Sequence, residues 1–132
     1  MKRIIAIFSL VCVLSFSFLF NIQNASAAAT SDPKSVSLTP SDDNGTDTTS
    51  RILLSSGKKF YFTVSNYWYS GHQVQYSIFK NGSEYLTGFV DVNDTKSFSY
   101  SWASGEYSLR LYCGSQSNRK TDCSAGGNIS VK

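Results

Sequence analysis

The residues best equipped for chemistry are Tyr67, Trp68 and Tyr69, followed closely by His72. Side chains alternate sides along a strand, so three consecutive aromatics cannot all face a core. At least one ring is therefore expected in solvent, where an aromatic face stacks on the apolar side of a sugar or seats a peptide. Asn66, Gln73 and Gln75 stand close enough in sequence to add hydrogen bonds. For Trp68 two readings stay open: a plug closing the end of the core, or an exposed platform. Tyr67, Trp68, Tyr69 and His72 are the candidate ligand-binding set.

Catalytic constellations are thin by comparison. His72 is the only histidine, so any serine or cysteine triad must use it. No G-x-S-x-G nucleophile elbow and no glycine-rich phosphate loop ahead of a helix occurs. The acids Glu84, Asp91, Asp94 and Glu106 fall near expected turns and strand ends, where solvated carboxylates are common. The chain thus reads as non-enzymatic, with no cofactor. Asp42 to Asp47 contains oxygen ligands and a glycine, yet lacks the alternate spacing and closing glutamate of an EF-hand loop. It reads as a solvated loop in preference to a calcium site.

Three cysteines are present. Cys12 lies in the apolar leader, and Val11 before it is not the small residue a lipoprotein cleavage site requires. Cys113 and Cys123 are expected to form a disulfide, since exported proteins seldom leave two neighbouring cysteines free. Closing so short a loop is worth about 2.5–3 kcal/mol on a chain-entropy estimate. With only His72 to assist, the pair makes a poor zinc site, and no metal is expected.

The elements that must position these groups read as strands. Period-two alternation marks Phe60 to Val64, Val74 to Ile78, Phe98 to Trp102 and Tyr107 to Leu111 with Cys113 in phase. Ile129 and Val131 form a last strand, Ile52 to Leu54 a short buried one, and Val36 with Leu38 an edge strand. Asn81-Gly82 predicts a type I′ hairpin joining Val74–Phe79 to Glu84–Val90. Ser41 to Ser50 reads as loop, Asp91 to Thr95 as a connection, and Gly126-Gly127 as a break after the cysteine loop. No stretch after the leader has helical spacing.

About seven strands, each apolar on one face, imply two sheets packed as a single antiparallel β-sandwich, immunoglobulin-like or jelly-roll-like. Gly105-Glu106-Tyr107-Ser108-Leu109 resembles the G-x-Y-x-apolar segment of immunoglobulin-like and several carbohydrate-binding sandwiches. The resemblance implies a tyrosine hydroxyl locking the start of a strand onto nearby backbone.

Residues 1 to 27 have the layout of a secretory signal peptide: Lys2 and Arg3, an apolar run from Ile4 to Phe20, then Ala25-Ser26-Ala27. Cleavage is expected near Ala28, leaving a polar segment over 28–50 and a sandwich domain over 51–132. The leader resembles those of Gram-positive bacteria. Lys2 and Arg3 supply two of the net +3, leaving +1 on the remainder. So small a charge gives no general attraction to nucleic acid or anionic membrane. No second apolar span follows that could sit in a bilayer. These features predict an extracellular, non-enzymatic binding domain for a cell-wall glycan or surface protein. The alternative is a small exported effector, antimicrobial or toxin-like.

Overall fold

The computed structural model describes residues 28–41 and 44–132. The expected signal peptide, Cys12, Asp42 and Asp43 lie outside them. Nine strands follow in chain order: β1 Lys34–Leu38, β2 Thr46–Thr48, β3 Ile52–Leu54, β4 Phe60–Asn66, β5 Val74–Lys80, β6 Ser83–Val90, β7 Asp94–Tyr100, β8 Gly105–Cys113 and β9 Ala125–Val131. They form two antiparallel sheets. One has the order β1-β9-β4-β7; the other runs β2-β8-β5-β6, with β3 sharing the β8 edge with β2. Among the described residues no helix is long and apolar enough to cross a membrane.

The apolar faces read from alternation meet between the sheets. Phe60, Phe62, Val64 and Ile129 from the first pack against Val74, Ile78, Tyr107, Leu109 and Leu111 from the second, all essentially buried. Removing these side chains from water is the main term favouring the fold. Tyr107 also fulfils the role its short motif implies: its hydroxyl donates to the Ala103 carbonyl at 2.6 Å. That bond ties the start of β8 to the turn before it.

The hairpin expected at Asn81-Gly82 is present, with φ of +50° and +86° at the two positions and Lys80 facing Ser83. Both angles are left-handed, which asparagine tolerates and glycine adopts freely. A register shift after Ile78 leaves Tyr85 without a partner in β5. Its half-exposed ring meets Trp102 edge-on at 5.0 Å.

Four details depart from the sequence reading. Strand β2 lies within the stretch read as loop. Its residues lack apolar side chains, but the Thr46 hydroxyl donates to the Leu111 carbonyl at 2.8 Å and Arg110 Nε donates to the Thr48 hydroxyl at 2.7 Å. Polar cross-strand bonds thus supply what hydrophobic pattern does not. Gly126 and Gly127 are no break but the start of β9, paired on both sides with β1 and β4. A Cβ on Gly127 would fall 2.6 Å from a Leu109 methyl, so close sheet packing explains its glycine. Strand β7 begins at Asp94, earlier than expected, because the preceding turn needs only Asp91 to Asn93, with φ of +62° at Asn93. It ends at Tyr100, so Trp102 lies beyond the strand. The indole still packs on the core, parallel to the Tyr100 ring at 4.6 Å.

Candidate functional site

The loop between β4 and β5 carries the aromatic set. Tyr67, Trp68 and Tyr69 are 43%, 75% and 56% exposed. None of the three rings plugs the core, and Trp68 stands in solvent. Tyr67 and Tyr69 stack at 5.8 Å with 18° between their planes, and Trp68 stands edge-on to Tyr69 at 5.3 Å. Exposing three large rings forgoes the stabilisation that burying them would give.

Polar contacts hold the loop in shape. Its backbone N–H at Tyr67 donates to the Ser124 carbonyl at 2.9 Å, and that at Gly71 to the Asp122 carbonyl at 2.9 Å. The Asn66 amide, buried at the end of β4, donates to the His72 carbonyl at 2.9 Å and the Val90 carbonyl at 3.1 Å. Ser70 Oγ donates to the His72 carbonyl at 3.2 Å and accepts from the Ser124 N–H at 3.1 Å. His72 Nδ1 meets Asp122 Oδ1 at 2.7 Å. His72 therefore lies at the base of the loop and braces it against residues 122–124, rather than joining the ring platform.

Those bracing residues are fixed in turn by the Cys113–Cys123 disulfide, whose Cα atoms are 5.4 Å apart. Asp122 lies 3.8 Å from Cys113 Sγ. With both sulfurs in the disulfide, this cluster offers no thiolate to a metal.

Beside the rings, the outer face of the first sheet forms a groove of about 260 Å³ lined by Ser35, Ser37, Thr63, Ser65, Asn128 and Tyr67 among others. Cross-strand register aligns Thr63 with Asn128 and with Ser97, and Ser65 with Gly126 and with Thr95. The Thr63–Ser97 hydroxyls bond at 3.0 Å, and Thr95 donates to Ser65 at 2.9 Å. Gly126 forms part of the groove floor, where a Cβ would lie 2.8 Å from the Tyr67 hydroxyl oxygen. The sheet thus contributes uncharged donors and acceptors up to the edge of the aromatic loop.

The structure brings Tyr67, Trp68, Tyr69 and His72 together in one loop. Gln75 points elsewhere: it donates to the Thr87 hydroxyl at 2.9 Å and accepts from the Gln116 N–H at 2.8 Å. The sequence reading missed Asp122, Ser124 and the groove residues. Alternation placed Thr63 on the outer face of its strand, but pairing with Asn128 depends on long-range register.

No family model matches the chain, and no curated protein matches it. Among solved structures, it is similar to the pre-peptidase C-terminal domain of a collagenase from Bacillus anthracis. The TM-score is 0.47 and the identity 18%, over 80% of this chain and 91% of that one.

Proposed function

We propose that this chain is an exported, non-enzymatic binding module whose target is a cell-wall glycan. One observation carries the reading: three consecutive rings stand in solvent on a hydrogen-bonded loop, beside a hydroxyl-lined groove. A sugar presents an apolar ring face and a rim of hydroxyls. Tyr67, Trp68 and Tyr69 match the face, while Ser35, Thr63 and Asn128 match the rim. The braced loop lowers the ordering cost on binding. Export rests on the leader pattern of residues 1–27 and agrees with the disulfide. N-terminal sequencing of the exported protein should begin near Ala28; recovery of Met1 would contradict cleavage.

The binding test is retention on insoluble cell-wall polysaccharide, paired with thermal melting, for Tyr67→Ala, Trp68→Ala and Tyr69→Ala. Retention should fall for at least Trp68→Ala at an unchanged melting temperature. Full retention of all three folded variants would refute the aromatic platform.

A further inference from the structure

A second hollow, of about 500 Å³, lies on the outer face of the other sheet and is lined by Thr48, Ser50, Arg51, Phe79, Ser108 and Arg110 among others. It shares no lining residue with the groove beside the aromatic loop. We propose that this hollow binds a phosphodiester group, with Arg110 as its principal ligand.

Among the described residues Arg110 is held in place without a counter-charge. Its guanidinium carbon sits 5.0 Å from the centroid of the Phe79 ring, and its Nε donates to the Thr48 hydroxyl at 2.7 Å. Among the described residues no carboxylate pairs with it. A guanidinium ordered by a ring and a single hydroxyl still presents its terminal N–H groups in a planar fork. That fork fits two oxygens of a tetrahedral anion. Stacking and the Nε bond fix its orientation before any ligand arrives, so little entropy is lost on binding.

The surrounding groups set the ligand's charge and shape. Arg51 Nη1 already pairs with Glu106 at 2.9 Å, so that pair adds no net charge and Arg110 alone supplies +1. A monoanion matches this balance better than a dianion, which favours a phosphodiester over a phosphate monoester. Thr48 accepts from Arg110, leaving its own proton free to donate, and Ser50 and Ser108 add two further hydroxyls. Several donors around one centre suit a phosphorus bearing several oxygens more than a planar carboxylate.

The test is a two-dimensional NMR titration of the purified protein with glycerophosphoglycerol, a soluble phosphodiester, following the arginine side-chain N–H signals. Saturable shifts should appear at Arg110 and Arg51, and Arg110→Gln should weaken binding at least tenfold. Arg110→Lys, which keeps the charge but loses the fork, should also weaken it. Trp68→Ala should leave it unchanged, which separates this site from the aromatic loop. Sedimentation with phosphatidylglycerol vesicles distinguishes the sources of the group. Binding of the soluble diester alone points to a polymer, and additional binding of vesicles to a lipid headgroup. Absence of arginine shifts at millimolar diester, or equal binding by folded Arg110→Gln, would overturn the proposal.

Discussion

Tyr107 shows how one side chain serves both packing and polarity. Its ring is fully buried against Phe60 and Trp102, at 5.1 and 5.4 Å, while its hydroxyl reaches the Ala103 carbonyl. Tyr107→Phe keeps the ring and loses the bond, and should cost about 1–2 kcal/mol, measurable by urea unfolding. Burial also raises the pKa of Tyr107 and of Tyr76, with smaller contributions from the neighbouring Tyr85 and Tyr100 hydroxyls. Both groups then hold their protons more tightly in the folded state. Their contribution to stability is full below the unfolded tyrosine pKa of about 10 and is lost as pH rises through the higher folded values. Phenolate absorbance should show Tyr76 and Tyr107 ionising above the unfolded tyrosine range, together with falling stability. Ionisation of Tyr76 and Tyr107 in the folded protein at the unfolded tyrosine pKa would contradict this. The five-residue motif made the Tyr107 bond legible in advance, because both partners lie within one turn.

Strands were legible where alternation was apolar, and less so where polar or close-packed contacts decide. Phe60 to Val64 and Tyr107 to Cys113 advertise a buried face in every second residue. Strand β2 does not, because Thr46 and Thr48 are held through hydroxyl bonds to partners more than sixty residues away. Gly126 and Gly127 misled for a related reason. Glycine punctuates turns far more often than it marks two sheets in close approach. Gly127→Val should therefore destabilise the domain by about 1–3 kcal/mol through overpacking against Leu109, despite the better strand propensity of valine. An unchanged melting temperature would show that the sheets can part cheaply there. The loop between β8 and β9 depends on its disulfide. Replacing Cys113 and Cys123 by serine should cost about 2.5–3 kcal/mol and loosen the Asp122–Ser124 brace beneath the aromatic rings.

At the scale of the molecule, two sheets bury their apolar faces against each other and leave two outer faces of different chemistry. One is a hydroxylated groove ending at the aromatic loop; the other holds the Arg110 hollow. Sandwich architecture followed from strand number and alternation. The groove required knowing that β9 lies between β1 and β4, an order set by chain crossovers that local pattern does not encode. The exposure of Trp68 likewise depended on how the end of the core is closed, and Phe60, Trp102 and Tyr107 stack together without it. Trp68→Ala should change stability by no more than about 0.5 kcal/mol, as for other exposed positions.

The two tryptophans allow glycan binding at the aromatic loop to be tested within a single molecule. Trp68 stands in the proposed glycan site, and Trp102 lies in the aromatic stack on the core. The most direct measurement follows both indole N–H signals by NMR while soluble cell-wall glycan fragments are added to the intact protein. The Trp68 signal should shift saturably while that of Trp102 stays fixed. A stationary Trp68 signal at saturating glycan, or a shift confined to Trp102, would contradict it.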